Sequence, residues 1–138
     1  MDTMEAVKQV EAAALACEQG PREIAEMKPG QVVRQGDIYL HRVEADHPRG
    51  AVRKGAMARQ LAIGSQSGAR HLADPPAVVY EGTTLPAWCA ERTFMGPCVV
   101  SDAPFTVSHP EHAHVKLPAG TYQVSHQMDA RTLDRVRD

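Results

Sequence analysis

The stretch Val107–Gln127 reads V-S-H-P-E-H-A-H-V-K-L-P-A-G-T-Y-Q-V-S-H-Q and indicates two strands joined by a turn. Pro118-Ala119-Gly120 supplies the turn, because proline and glycine interrupt regular structure. Apolar residues on both sides recur with the period of two that is typical of strands: Val115 and Leu117 before the turn, Tyr122 and Val124 after it. The stretch therefore predicts a β-hairpin whose first arm is bordered by histidines.

Potential metal ligands are dense in the first arm, which carries His109, Glu111, His112 and His114. Residues two apart on a strand point to the same face, so His112 and His114 would reach one ion. Imidazole suits zinc, iron and nickel, and a carboxylate can complete the ligand set. We expect His71 or His126 to add a further imidazole, which predicts a divalent transition-metal site at the hairpin.

Other uses of these histidines remain open. They would also fit a polar rim beside a proline bend, a proton-transfer site or a site for a small anion. Glu111 and His71 together have the residue types of a general acid–base pair. Nucleophilic catalysis is weakly indicated, because Cys98 and Ser108 lie near histidines in sequence but strand neighbours face opposite ways.

Composition limits the classes of function. The 138 residues suit one domain, with 43% hydrophobic and 23% charged residues. A net charge of −2 and only 4% aromatic residues argue against a nucleic-acid partner. The sequence has no apolar run long enough for a membrane span and no signal-peptide pattern, so we expect a cytoplasmic protein. Cys17, Cys89 and Cys98 lack metal-site spacing and are expected to be free thiols.

The two ends of the chain have helical patterns. Residues 2–19 place apolar side chains at spacings of three and four, which predicts an amphipathic helix within an extension over residues 1–30. Pro21–Met27 is predicted to add a short helical segment. Near the other end, Asp129 is expected to cap a short helix that carries Leu133 and Val136.

Residues 31–138 are predicted to form a β-rich domain. A hairpin about Gln35-Gly36 joins alternating segments on both sides. A further strand is expected over Ala56–Ile63. Short strands with frequent turns predict a mainly β fold, either a small barrel or a compact β-sandwich.

Three motifs carry a resemblance to a family: Gly64-x3-Gly68-x2-His71, His109-Pro110-Glu111-His112 and Leu117-Pro118-Ala119-Gly120-Thr121-Tyr122-x-Val124. Together they resemble a group of small uncharacterised bacterial and phage-associated proteins, over residues 31–138. The polar end of that group is matched by Gln127-Met128-Asp129. Ala69 stands where the group has its first loop histidine, so His71 is alone in that loop. The H-x-H spacing is also loosely similar to cupins, which are metal-binding β-barrels.

The sequence thus predicts a small cytoplasmic binding module whose histidine-rich hairpin holds a divalent transition metal or a small anion. The alternative is a structural or regulatory protein that forms a homo-oligomer or binds a protein partner through its N-terminal helix. A cupin-like metalloenzyme is the third hypothesis. Neither nucleic acid nor membrane is an expected partner.

Overall fold

The computed structural model describes residues 22–62, 70–82, 95–129 and 134–135, and there the chain is mainly β with no α-helix. The strands are β1 Arg22–Glu23, β2 Val32–Gln35, β3 Ile38–Val43, β4 Ala51–Val52, β5 Leu72–Ala73, β6 Val78–Glu81, β7 Met95–Ser101, β8 Phe105–Ser108, β9 Val115–Leu117, β10 Gly120–His126, β11 Met128–Asp129 and β12 Asp134–Arg135. A 3-10 turn spans Gly55–Met57. No helix in the described ranges is long and apolar enough to cross a membrane.

The strands form two main sheets in a sandwich-like arrangement. The six-stranded sheet has the order β2-β3-β10-β7-β6-β4, and the four-stranded sheet has the order β1-β9-β8-β5. Among the described strands neither sheet closes on itself, so the predicted mainly β fold is confirmed as a sandwich-like form and the barrel alternative is wrong. Pairing within the six-stranded sheet is antiparallel throughout, whereas β1 joins β9 in parallel.

The core lies between the two sheets and collects the apolar residues that alternate along the strands. Leu40 and Val124 contribute from the larger sheet, and Val107 and Leu117 contribute from the smaller one, each with no exposed surface. Burying such a side chain stabilises the fold by about 1.5–3 kcal/mol. β10 is central in its sheet and is buried on both faces from Thr121 to His126.

The turn at Pro118-Ala119-Gly120 does not make the predicted hairpin. Instead, β9 lies in the four-stranded sheet and β10 in the six-stranded sheet, so the turn carries the chain from one sheet to the other. The hydroxyl of Tyr122 donates to the carbonyl oxygen of Pro118 at 2.7 Å and holds this corner. Gly120 has φ +155°, and a Cβ there would lie 2.5 Å from Nε of Arg42. Alternation located both strands, but it does not determine which neighbour each strand takes.

The short helix predicted for Pro21–Met27 is wrong within its described part. Arg22–Glu23 forms β1, in which Arg22 N–H donates to the carbonyl oxygen of His114 at 2.8 Å. Pairing with an existing sheet edge outweighs one helical turn, since the first turn of a helix is costly to nucleate. The longer helix predicted over residues 2–19 lies outside the described residues, and its role in self-assembly or partner binding stays a prediction.

Two further predictions are corrected. The C-terminal helix is wrong in its described part, because Met128–Asp129 pairs with Asp134–Arg135 as antiparallel strands. Leu133 and Val136, the two apolar residues of that prediction, lie outside the described residues. The strand over Ala56–Ile63 is also wrong in its described part. Gly55–Met57 forms a 3-10 turn, and only an isolated bridge from Gln60 to Leu72 follows. The hairpin about Gln35-Gly36 is confirmed by the pairing of β2 with β3.

Candidate functional site

A buried polar group links the two sheets. His71 precedes β5 of the smaller sheet, whereas Gln35 and Asp37 lie at the turn between β2 and β3 of the larger sheet. Nδ1 of His71 lies 2.8 Å from Oε1 of Gln35, and Nε2 lies 2.8 Å from Oδ1 of Asp37. The three residues are at most 3% exposed. Water therefore screens these contacts little, and each is electrostatically strong.

The amide of Gln35 determines the protonation of Nδ1 in His71. Its Nε2 donates to the carbonyl oxygens of Val107 at 3.0 Å and Ala113 at 2.8 Å. Carbonyl oxygens only accept, so the NH2 group must face them and Oε1 must face His71. Oε1 also only accepts, and Nδ1 of His71 must therefore carry a proton and donate it.

One further proton belongs to His71 and Asp37 jointly. The contact between Nε2 and Oδ1 needs a hydrogen, which resides either on the imidazole or on the carboxyl group. The first case is a buried ion pair and the second is a neutral pair. In both cases each ring nitrogen of His71 is engaged, and neither offers a lone pair to an outside ligand.

Two more imidazoles pack against His71. The ring centroid of His109 lies 4.3 Å from that of His71 and 4.5 Å from that of His112. The rings of His71 and His112 are nearly parallel, with centroids 6.0 Å apart and an 8° angle between the planes. We call these three side chains the imidazole cluster. His71 and His109 are each 2% exposed, while His112 is partly exposed and is the member of the cluster that solvent reaches.

The backbone of the loop between β8 and β9 sets the tautomer of His109. The N–H of Glu111 donates to Nδ1 of His109 at 3.0 Å. Nδ1 therefore keeps its lone pair, and in the neutral ring the proton lies on Nε2. In this tautomer Nε2 of His109 is an N–H donor. His71 has its own N–H donor at Nδ1, whose proton Gln35 accepts.

The structure brings together His71, His109 and His112 of the predicted metal ligands, and it leaves the other two outside their ring contacts. Glu111 and His114 are exposed on the loop that joins β8 to β9. The residues from His109 to His114 form this loop and no strand, so the alternation that placed His112 and His114 on one face does not apply. Loop geometry instead turns His112 inward beside His109.

The hydrogen bonds of the ring nitrogens restrict how these histidines could bind a metal ion. Both nitrogens of His71 are engaged, and Nδ1 of His109 accepts from the backbone, so an ion would need Nε2 of His109 without its proton. Among the residues the structure describes, no three His, Cys, Asp or Glu side chains form a group that could hold a metal ion. A site formed by His109, Glu111, His112, His114 and His71 stays a prediction, and it requires the loop to rearrange.

Sequence reasoning missed Gln35 and Asp37. A signal existed for Gln35, because it shares the alternating inward face of β2 with Val33. A polar residue at such a position must find partners inside the fold. Asp37 had no comparable signal, since aspartate after Gly36 is also an ordinary turn residue.

Cys98, one of the nucleophile types noted in the sequence, is unsuited to that role. It has no exposed surface and forms no disulfide, which confirms the predicted free thiol at this position. Burial raises the pKa of Cys98 to about 11, and the charge of Arg49 offsets only part of that effect. The reactive thiolate is therefore scarce near neutral pH.

Comparison with known proteins identifies a family. A family model described as "Domain of unknown function (DUF8820)" matches residues 34–127. The matched range includes the whole imidazole cluster together with Gln35 and Asp37. Its two end residues meet in the fold, because Nη2 of Arg34 donates to Oε1 of Gln127 at 3.0 Å. No curated protein and no solved structure matches the chain.

Proposed function

The chain belongs to the DUF8820 family, and we propose that it is a small binding module whose imidazole cluster takes up a small oxyanion such as phosphate. One observation carries the proposal: the backbone N–H of Glu111 donates to Nδ1 of His109, so the proton of the neutral ring lies on Nε2 and His109 is an N–H donor beside His112. N–H groups are what an oxyanion requires, whereas a metal ion requires ring lone pairs.

His112 is the residue that would contact the anion. It is partly exposed, and its ring packs on His109 with centroids 4.5 Å apart. When His112 is protonated it adds a positive charge beside the buried donors. His109 then packs against the His112 ring, fixes its orientation, and supplies a second N–H donor.

Charged residues of both signs lie at or near the loop. Arg22 lies at the end of the loop, where its backbone N–H donates to the carbonyl oxygen of His114. Lys116 follows on β9, is half exposed, and has its Nζ 3.9 Å from Oε1 of Glu23. Glu111 is a second acidic residue, exposed on the same loop. Its carboxylate would weaken an anion's affinity but strengthen that of a metal, which separates the two ligand classes experimentally.

The pH dependence separates them as well. An oxyanion prefers protonated imidazole, so its affinity should rise as the pH falls from 8 to 6. A metal requires deprotonated ligands, so its affinity should fall over the same range. Calorimetric titration with phosphate and with zinc, each at pH 6 and pH 8, tests the proposal. Tighter phosphate binding at pH 6 supports it, and zinc binding that strengthens at pH 8 without phosphate binding overturns it.

Three single variants localise the site. His112→Gln should abolish phosphate binding, whereas His114→Gln, an exposed histidine on the same loop, should leave it unchanged. Glu111→Gln should strengthen phosphate binding by about twofold to fivefold, as expected for removal of one exposed like charge. Equal losses in His112→Gln and His114→Gln would place the anion elsewhere, and weaker binding in Glu111→Gln would indicate a metal ligand.

A further inference from the structure

Gln35 connects both ends of the loop that carries His109 and His112. The single NH2 group of its side chain donates to the carbonyl oxygen of Val107 at 3.0 Å and to that of Ala113 at 2.8 Å. These two carbonyl groups lie on either side of the two histidines in the chain. One side-chain nitrogen therefore closes the loop between β8 and β9 at its base.

Within the closed loop, the two histidines are held by the backbone and by each other. The N–H of Glu111 donates to Nδ1 of His109 at 3.0 Å, and the ring centroids of His109 and His112 lie 4.5 Å apart. His112 directly precedes Ala113, whose carbonyl oxygen Gln35 binds. A hydrogen bond that fixes Ala113 thus restricts where the backbone can place the His112 ring.

The orientation of the Gln35 amide is itself fixed by buried partners. Nδ1 of His71 donates to Oε1 of Gln35 at 2.8 Å, and Nε2 of the same ring lies 2.8 Å from Oδ1 of Asp37. If the amide turned over, its oxygen would face two carbonyl oxygens and its NH2 group would face the N–H of His71. Gln35 is buried, so water cannot satisfy the misplaced groups.

A second buried glutamine, Gln123, makes the same kinds of contact elsewhere in the fold. Its Nε2 donates to the carbonyl oxygens of Gly96 at 2.9 Å and Pro97 at 3.2 Å, and its Oε1 lies 3.0 Å from Nε2 of His47. Gln123 alternates with core residues along β10, so its side chain points to the face of the sheet opposite the core. It is therefore a matched control for the loss of a buried amide.

We propose that Gln35 is the positioning residue of the imidazole cluster, and that it holds the loop between β8 and β9 in the form that keeps His109 and His112 together. His71 and Asp37 act through Gln35, because they fix the orientation of its amide. The loop is held in this form before any ligand binds. The further expectation that Gln35 determines phosphate affinity rests on the function proposed above.

Backbone hydrogen exchange compares Gln35→Met with Gln123→Met, two variants that keep the length of the side chain and remove its amide. In Gln35→Met the amide of Glu111 should exchange at least about tenfold faster relative to the amide of Leu40 in β3, as expected for the loss of one hydrogen bond. In Gln123→Met this ratio should stay unchanged, because a general loss of stability accelerates the exchange of both amides.

The ring of His109 gives a second readout, one that a merely stabilising glutamine would not change. Long-range proton–nitrogen spectra should show one tautomer, with the proton on Nε2, in the original chain and in Gln123→Met. In Gln35→Met the ring should lose its hydrogen bond from Glu111 and populate both tautomers. The proposal is overturned if folded Gln35→Met keeps the exchange ratio and the single tautomer, or if Gln123→Met changes them equally.

The original chain decides the point if a variant does not fold. The side-chain amide protons of Gln35 and the backbone amide of Glu111 should have the same protection factor across a urea series, since one opening breaks both sets of hydrogen bonds. A Glu111 amide protected much less than the Gln35 side chain would show that the loop moves while Gln35 stays bound. That result would also overturn the proposal.

Phosphate titration at pH 6 connects the positioning to binding. Gln35→Met should weaken phosphate binding at least about tenfold, whereas Gln123→Met should leave it unchanged. If the original chain binds no phosphate, the proposed function fails, and the exchange comparison alone decides the role of Gln35. Unchanged phosphate affinity in a Gln35→Met chain whose loop has opened would overturn the connection between positioning and binding.

Discussion

Nε2 of His71 lies 2.8 Å from Oδ1 of Asp37, and this contact joins residues 34 positions apart in the chain. Asp37 belongs to the turn between β2 and β3, and His71 immediately precedes β5, so the pair connects the two sheets of the sandwich. The side-chain amide of Gln35 also donates to the carbonyl oxygen of Val107, on the smaller sheet, and to that of Ala113, on the loop between β8 and β9. The polar interior of the fold is thus a connection between layers as well as a candidate site.

Removing the carboxylate from this pair should be costly. Asp37→Ala removes the hydrogen-bond partner of Nε2 from the buried His71, and the free energy of unfolding should fall by about 3–5 kcal/mol. Asp37→Asn should cost less, about 1–2 kcal/mol, because its NH2 group can donate to Nε2 of a neutral His71. Urea denaturation measures both values. Equal losses in the two variants would contradict the hydrogen-bond assignment.

Gln35→Glu tests the orientation of the Gln35 amide. A carboxylate at this position would face the carbonyl oxygens of Val107 and Ala113, and neither would receive a donor. We expect a loss of at least about 2 kcal/mol at pH 7. The loss should shrink at acidic pH, since the protonated acid regains one donor. A variant as stable as the original chain at pH 7 would show that the amide is turned the other way.

Tyr122 should make stability fall in strongly basic solution. Burial raises the pKa of Tyr122 to about 12 from an ordinary value of 10, and the charge of Arg42 opposes that shift only in part. The raised pKa stabilises the fold fully below pH 10, and this contribution is lost as pH rises through about 12. Tyr122→Phe loses the bond to Pro118, about 1 kcal/mol at pH 7. It should also decline less between pH 10 and pH 12 than the original chain.

Cys98 should resist alkylation as long as the protein is folded. Its thiol has no exposed surface, and its raised pKa leaves little thiolate. Iodoacetamide at pH 8 followed by peptide mass spectrometry should detect no adduct at Cys98 in buffer and complete modification in denaturant. Modification at the same rate in both conditions would show that the β7 segment opens readily.

Local patterns in the sequence were sufficient to locate several strands but not to identify which strands pair with each other. Alternation located β3, β9 and β10, and Gly36 marked the turn between β2 and β3, because these features depend on neighbouring residues. The assignment of β9 and β10 to different sheets depends on the corner that Tyr122 and Pro118 form, and no periodicity reveals such a contact. The short apolar pattern near the C-terminus predicted a helix, whereas Met128–Asp129 and Asp134–Arg135 pair as strands.

The candidate site was also predictable only in part from the sequence. The sequence grouped His109 and His112 by proximity and named His71 as a further imidazole, and the fold brings these three rings together. The expectation for His114 relied on a strand that is a loop in the structure. Gln35 and Asp37 were unpredictable as partners of His71, since the contacts span more than thirty positions and carry no motif.

The most direct test of the proposed anion site is a long-range proton–nitrogen NMR spectrum of the histidine side chains, recorded during a phosphate titration. We predict a proton on Nδ1 of His71 and on Nε2 of His109 before phosphate is added. We further predict saturable shifts at His109 and His112, with His114 unchanged. A His71 ring without a proton on Nδ1, or resonances of His109 and His112 that do not respond to phosphate, would contradict it.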